Sequence, residues 1–145
     1  MKSKILLYLT FIILFLIVTN VLAETYSTKI ERVIDGDTVE INIPCLPESL
    51  QKMKVRLKNI DTPEIHGKCD NEKYKAEIAK QVLIEKLQNK VVELKNCEPD
   101  KYFRLNCEII YDGVKNISSD MIINGYGVVY QGERKSHSWC PNESQ

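Results

Sequence analysis

The stretch Thr28 to Ile43 reads TKIERVIDGDTVEINI and contains an Asp-Gly pair between two runs of apolar residues. After the pair, Val39 and Ile41 alternate with polar neighbours, the period at which the side chains of a β-strand share one face. Asp-Gly between alternating segments is a strong signal for a tight hairpin turn. The stretch therefore predicts a β-hairpin whose turn lies at Asp35-Gly36.

Further segments with strand or helix periodicity follow this hairpin along the chain. Alternating apolar and polar residues predict strands over 53–57, 91–96 and 105–111 and a short return strand through Lys115. Residues 70–90 lack Gly and Pro and place apolar side chains at helical spacing, which predicts one long helix. Residues 121–124, followed by Gly125, predict a short helix. Together these elements predict an α+β fold, a small five-stranded OB-type β-barrel with one long helix and one or more short helices.

The N-terminal segment has the three parts of a secretory signal. Lys2 and Lys4 precede an apolar run, and the small residue Ala23 ends the segment. We therefore predict a signal peptide over residues 1–23, one globular domain over residues 24–145, and a secreted or periplasmic protein. The alternative is an uncleaved membrane anchor, because the apolar run approaches the length that crosses a bilayer.

The predicted domain has no net positive charge that would attract a polyanion. Lys2 and Lys4 are the only charged residues before Glu24, so 18 of the 20 basic residues and all 20 acidic residues remain in the domain. Its 122 residues (145 less the 23 of the signal) suffice for a single core. Binding to a nucleic acid would therefore depend on a local cationic patch.

All five cysteines lie in the predicted domain, and their spacing is not that of a metal site. In an oxidising compartment, two disulfides would leave one thiol over. Cys107 continues the apolar alternation of its strand, so we expect it to be the odd thiol, buried in the core. The other four allow three pairings, of which we favour Cys69 with Cys140 and Cys45 with Cys97, although the sequence alone does not decide between them.

Two short motifs offer the oxygen atoms that a hard cation and a hydrolytic water need. Asp37 follows the Asp-Gly pair, and Asp61-Thr62-Pro63-Glu64 follows the third strand. Asp37, Asp61 and the Thr62 carbonyl are candidate ligands for Ca²⁺, and Glu64 could take a proton from a nearby water. Taken singly, the first motif is also typical of a plain turn and the second of a capped helix start.

Two arginines could bind a phosphate group. Arg56 lies on the cationic face of the third strand, and Arg104 ends the polar turn that begins at Asp100. A guanidinium group binds phosphate oxygens in bidentate fashion. The simpler interpretation is that each arginine is a solvated surface charge.

In combination, these motifs resemble the thermonuclease (staphylococcal nuclease-like) family. The matching segments occur in the family's order and at its separations; they are Val33 to Thr38, Val55 to Leu57, Ile60 to Glu64 and Asp100 to Arg104. The likeness extends from about Ile30 to Tyr130. It implies a Ca²⁺-dependent hydrolase that cleaves phosphodiester bonds of DNA and RNA with little sequence preference.

The resemblance also implies roles for individual residues. By position, the catalytic residues are Arg56, Glu64 and Arg104, the Ca²⁺ ligands are Asp37, Asp61 and Thr62, and the substrate-binding residues are Lys101, Tyr102 and Tyr130. In the family, water attacks in line and expels the 5′ oxygen, which leaves a 3′-phosphate. DNA and RNA are then the partners implied, and we expect a monomer.

Two features depart from the family pattern. Phe103 stands where a glycine is usual between the tyrosine and the arginine, and the segment Ile65 to Asn71 is shorter than in the type enzyme. Neither change removes a catalytic group. Degenerate relatives that have lost those groups serve as catalytically silent nucleic-acid or protein binding modules, which is the alternative function for this chain.

Overall fold

The computed structural model describes residues 25–132 and 137–140, which form eight strands and two α-helices. The strands are β1 (Thr25–Val33), β2 (Thr38–Asn42), β3 (Lys52–Leu57), β4 (Ile60–Asp61), β5 (Val91–Pro99), β6 (Leu105–Tyr111), β7 (Lys115–Asn116) and β8 (Val128–Val129). The helices are α1 (Asp70–Leu87) and α2 (Ile117–Ile123), and Glu48–Leu50 forms a single 3-10 turn. The predicted signal peptide lies outside the described residues. Within them, neither helix combines the length and the apolar character that spanning a bilayer requires.

Five of the strands close into a barrel. They are hydrogen-bonded in the order β3-β2-β1-β5-β6, and a parallel pairing of β3 with β6, with Val55 opposite Leu105, closes the ring. The remaining short strands extend β6 with β7 and pair β4 with β8. This mixed barrel with two helices confirms the predicted OB-type α+β fold.

The core follows from the strand and helix periods in the sequence. Val39 and Ile41 of β2, two residues apart, both point into the barrel and are at most 3% exposed. On α1, Leu83 and Leu87 lie one helical turn apart and are fully buried in the same cluster. Burial of each such side chain is worth about 1.5–3 kcal/mol, so this core fixes the strands from which the polar site residues project.

The helix boundaries differ from those predicted. The short helix α2 begins at Ile117, four residues before the predicted start, because the Asn116 side chain caps it by accepting the Ser119 N–H at 3.2 Å. The long helix ends at Leu87 rather than at residue 90. Asn89 there adopts a left-handed backbone with φ of 63°, and its N–H donates to the Ile30 carbonyl at 2.8 Å.

Two disulfides form, and only one of them was predicted. Cys69 bonds to Cys140 as expected, whereas Cys97 bonds to Cys107 and Cys45 is the free, exposed thiol. The predicted Cys45–Cys97 pair and the odd thiol at Cys107 are therefore wrong, although Cys107 is fully buried as predicted.

The physical reason for the unexpected pair is a β-bulge in β5. Asn96 and Cys97 together face the single residue Cys107 on β6, and Asn96 takes a left-handed φ of 51°. The extra residue interrupts the strand alternation and brings the two cysteine Cα atoms to 4.2 Å. A strict alternation of side chains could not foresee this pairing.

The Cys69–Cys140 disulfide holds the C-terminal tail, of which residues 137–140 are described, against the start of α1. Next to Cys140, the Trp139 carbonyl accepts a hydrogen bond from the Asn71 side chain at 2.8 Å. The Lys75 ammonium lies 5.9 Å from the centre of the Trp139 ring. The tail is thus joined to the first turns of α1 by a disulfide and by noncovalent contacts.

A polar network joins the two helices to the barrel. The Asp120 carboxylate of α2 accepts the Lys86 ammonium of α1 at 2.8 Å and the Tyr111 hydroxyl of β6. The hydrogen bond from Lys86, followed by that from Tyr111, lowers the pKa of Asp120 below its ordinary value of 3.8. The charged form of Asp120 therefore stabilises the folded state.

We expect Asp120→Asn to lower the free energy of unfolding by about 1–3 kcal/mol at pH 7. Because the folded pKa is below the unfolded one, this contribution is present above the unfolded pKa and is lost as the pH falls through the folded pKa. The difference from wild type in urea unfolding should therefore shrink once the pH is below about 4. Asp112→Asn, which removes an exposed ion pair with Lys115, is the control and should change stability by less than about 0.5 kcal/mol. Equal losses in the two variants would contradict this account.

Candidate active site

The Arg56 side chain lies at the centre of the predicted site. It projects from β3, and its Nη1 donates to the carbonyls of Leu57 at 3.0 Å and Ile60 at 3.1 Å. Its Nη2 lies 2.9 Å from Asp37 Oδ2 and 3.9 Å from Asp61 Oδ1. One guanidinium group therefore faces both predicted metal-binding carboxylates, and only 15% of the side chain is exposed.

The hairpin turn brings Asp37 against the Asp61-Thr62 segment. A Cβ atom on Gly36 would lie 2.8 Å from Thr62 Oγ1 and 3.0 Å from the Ala79 side chain, so only glycine allows this approach. Within the turn, the Asp35 side chain accepts the Asp37 N–H at 3.0 Å. Asp35 and Gly36 thus form the hairpin turn, and Gly36 also packs against Thr62.

The oxygen atoms at this contact are buried. Two carboxyl groups face the single positive charge of Arg56. Asp37, Asp61 and Thr62 are 8%, 3% and 3% exposed. Burial raises the pKa of Asp37 from 3.8 to about 7; Arg56 opposes the shift, and Asp35 and Glu64 add to it. A further positive charge beside these oxygens would be electrostatically favourable.

Glu64 lies on the loop between β4 and α1, and its side chain is exposed. It is near enough to Asp37 to raise the pKa of that carboxyl electrostatically. Its backbone N–H donates to the carboxylate of Glu72 at 3.4 Å. The Glu64 carboxylate is therefore at the solvent-facing side of the buried acids, where a water can reach it.

Arg104 is held by the polar turn between β5 and β6, which was predicted from the sequence. Asp100 accepts the backbone N–H of Tyr102 at 2.7 Å and of Arg104 at 3.1 Å, and its Oδ2 accepts Arg104 Nε at 2.7 Å. Burial, the largest single cause, raises the pKa of Asp100. These hydrogen bonds and the Arg104 charge together outweigh burial, so the pKa of Asp100 lies below its ordinary value of 3.8. The Arg104 guanidinium lies 5.3 Å from the centre of the Tyr102 ring.

A polar cleft of about 350 Å³ connects the two arginine regions. Four of the predicted residues line it: Arg56, Lys101, Tyr102 and Tyr130. The Arg56 guanidinium lies 5.7 Å from the centre of the Tyr130 ring. A larger groove of about 680 Å³, lined by Tyr26, Ile43 and Leu94 among others, contains none of the predicted residues. The predicted residues therefore line the smaller of these two cavities.

The structure thus brings the nine predicted site residues to one region, through Arg56, the cleft and the Asp100 turn. Two further residues of this region, Asp100 and Asn106, were not predicted as site residues. Asp100 carries the local signal of a turn residue bonded to the N–H two positions later. Asn106 lines the cleft with a buried Oδ1 that accepts no hydrogen bond from the described residues, and nothing in the strand pattern marks it.

The chemistry available at this cleft is that of phosphate esters. Guanidinium groups can offset the negative charge of a phosphate, carboxylate and carbonyl oxygens suit a hard cation, and an exposed carboxylate can accept a proton from water. On an OB-type barrel, a fold that binds oligonucleotides in many proteins, this set fits the class of nuclease hydrolases.

Comparison with known proteins agrees with that class. The family model described as staphylococcal nuclease homologue matches residues 54–142, more than half of the chain. The chain therefore belongs to the staphylococcal nuclease homologue family.

Individual relatives are more distant. The chain is 28% identical over 116 residues to Endonuclease YhcR of Bacillus subtilis (strain 168), an alignment that covers 72% of this chain and 9% of that protein. It is 27% identical over 120 residues to a protein of Escherichia coli O157:H7 named uncharacterized endonuclease, covering 83% of this chain and 71% of that one. This chain thus corresponds to a small part of the first relative and to most of the second.

Proposed function

We propose that the protein is a Ca²⁺-dependent nuclease that hydrolyses phosphodiester bonds of DNA and RNA with little sequence preference. The observation that carries the proposal is the position of Arg56, whose guanidinium faces two buried carboxylates and also lines an open cleft beside Tyr130. Membership of a nuclease family and the names of the relatives support the same reaction.

The oxygen atoms beside Arg56 fit a calcium ion. Asp37, Asp61 and the Thr62 carbonyl are hard oxygen donors, and burial, with smaller contributions from Asp35 and Glu64, raises the pKa of Asp37 despite the neighbouring Arg56. The family is generally Ca²⁺-dependent. When bound, Ca²⁺ would neutralise phosphate charge and polarise the P–O bond. The few protein ligands imply modest affinity, suited to the near-millimolar calcium outside cells.

In the proposed reaction, a water oxygen attacks the phosphorus atom while Glu64 accepts the proton that the water loses. The bond from phosphorus to the 5′ oxygen breaks, the 5′ oxygen takes up a proton from solvent and leaves as a hydroxyl group, and a 3′-phosphate remains. Arg56 and Arg104 donate hydrogen bonds to the phosphate oxygens on which negative charge grows. Each guanidinium is held in advance, Arg56 by two backbone carbonyls and Arg104 by Asp100, so little reorganisation is needed.

The rest of the cleft suits an unpaired strand. Lys101 would bind a neighbouring phosphate, and the rings of Tyr102 and Tyr130 would stack on bases. Contacts of this kind do not distinguish base sequence. They account for the low sequence preference that we propose.

The proposal is tested by cleavage of denatured DNA with purified protein, in millimolar Ca²⁺ and in a calcium chelator. We expect cleavage only with Ca²⁺ and a fall of about 10²–10³-fold in turnover for Glu64→Gln. Glu77→Gln, an exposed acid on α1, is the control for the charge change and should keep wild-type activity. If the wild type binds denatured DNA but does not cut it, the protein is a silent binding module instead.

Phe103 provides a separate test of how the strand binds. It adopts a left-handed φ of 57°, and the residue is 97% exposed at the tip of the Asp100 turn. Base stacking on an aromatic ring is worth about 1–3 kcal/mol, so Phe103→Gly should raise the KM for denatured DNA at least about fivefold with little change in kcat. Phe103→Trp should keep the wild-type KM. The same KM for the glycine variant and the wild type would exclude stacking on this ring.

We also propose that the protein is exported, with cleavage after Ala23. The two disulfides support export, because such bonds persist in oxidising compartments. N-terminal sequencing of the protein recovered outside the producing cells should begin at Glu24. Recovery of the uncut chain in the membrane fraction would support the membrane-anchored alternative.

A further inference from the structure

A buried carboxylate outside the cleft holds the loop that carries Glu64. Glu72 lies in the first turn of α1 and is 8% exposed. Its Oε1 accepts the Glu64 N–H at 3.4 Å, and its Oε2 accepts the Lys68 N–H at 2.9 Å. The loop also closes on itself, since the Gly67 N–H donates to the Glu64 carbonyl at 2.9 Å. Both ends of a short loop are thus bonded to one side chain.

This arrangement differs from ordinary helix capping. Glu72 is the third helical residue after the N-cap Cys69, the position from which a glutamate commonly bonds to the N-cap N–H. Here the side chain, which points toward the helix N-terminus, reaches past Cys69 to Lys68 and Glu64. Glu72 therefore fixes the loop rather than only the helix end.

Two neighbours hold the Glu72 side chain itself. A Cβ atom on Gly67 would lie 2.5 Å from Glu72 Cγ and Cδ, so the loop packs directly on the carboxylate stem. Cys140 Sγ lies 3.7 Å from Oε2. Because that sulfur is bonded to Cys69, it has no proton to donate, and the two cysteines with Glu72 are a packed cluster and not a set of metal ligands.

We propose that Glu72 is a positioning residue that sets the place of the Glu64 carboxylate relative to the attacking water. The inference rests on the proposed nuclease function. A displacement of about 1 Å at a reacting group can cost about 100-fold in rate. Asp37 and Asp61 are outside this loop, at the hairpin turn and on β4, so loss of Glu72 should affect proton transfer more than binding.

The first test compares kcat and KM for denatured DNA among wild type, Glu72→Gln and the control Glu77→Gln. Glutamine keeps one acceptor oxygen but presents an NH₂ group to the other N–H, so one loop bond is lost. We expect kcat to fall about 10- to 100-fold in Glu72→Gln, with KM and the Ca²⁺ midpoint within about twofold of wild type. Glu77→Gln should match wild type.

The second test separates positioning from general loss of structure. In a Glu64→Gln background, Glu72→Gln should lower kcat by less than about twofold, because the group it positions is already absent. The same loss in both backgrounds would overturn the proposal. Gly67→Ala displaces the carboxylate without removing it and should give the same kcat loss; it decides the matter if Glu72→Gln does not fold.

The outcomes also separate this inference from the proposed function. A folded wild type that does not cut DNA in Ca²⁺ overturns the nuclease proposal. An active wild type, an impaired Glu64→Gln, and a Glu72→Gln as active as Glu77→Gln overturn only the role of Glu72.

Discussion

Arg56→Lys is expected to lower the turnover number for denatured DNA about 10²–10³-fold while the protein stays folded. Arg56 binds two backbone carbonyls through Nη1 and the Asp37 carboxylate through Nη2. A lysine keeps the charge, but its single ammonium group cannot bond to all three and still present a flat pair of donors to a phosphate. The loss should therefore appear in kcat, measured by release of acid-soluble nucleotides.

The matched control is Arg32→Lys. Arg32 pairs with Glu40 at 3.1 Å, but 63% of its side chain is exposed and it lies outside the cleft. Its replacement should change neither kcat nor stability measurably. Circular dichroism should show that both variants are folded. Similar activity of Arg56→Lys and Arg32→Lys would mean that the Arg56 guanidinium does not stabilise the transition state.

Removal of the Cys69–Cys140 disulfide is expected to lower the free energy of unfolding by about 4 kcal/mol. The bond joins residues 71 positions apart, so it strongly restricts the unfolded chain. The measurement is urea unfolding of the double variant Cys69→Ser, Cys140→Ser against wild type. Because the unfolded chain is less compact without the bond, the slope should stay the same or rise, and circular dichroism without urea should show that the native state is preserved.

The comparison for this experiment is the other disulfide. Cys97 and Cys107 are 10 positions apart, for which the same reasoning gives about 3 kcal/mol. The tail bond should therefore contribute more than the strand bond. The reverse order would mean that the buried packing around Cys107 outweighs chain entropy.

Much of the fold was predictable because its signals are local. The Asp-Gly pair specifies a hairpin turn, alternation specifies the barrel strands, and a Gly-free and Pro-free segment specifies α1. The proximity of Asp37, Arg56 and Asp61 was also predictable, since they lie at strand ends whose pairing the barrel fixes.

The remaining features depend on contacts between distant parts of the chain. The Cys97–Cys107 bond requires a bulge at Asn96, and asparagine only permits, but does not require, the left-handed backbone found there. Glu72 resembles any acid in the first turn of a helix until the preceding loop folds back over it. Such features are set by tertiary packing and leave no periodic pattern in the sequence.

The bond between the tail and α1 has a consequence for the cell that makes the protein. In a compartment that keeps thiols reduced, this bond does not form, and the new chain lacks about 4 kcal/mol of the roughly 5–15 kcal/mol that keeps a domain folded. A chain in that state would unfold more readily, and for the export proposed above an unfolded chain is the form that can pass through a narrow translocation pore. For an exported nuclease, formation of this bond after export would thus raise the stability of the folded enzyme only outside the reducing compartment.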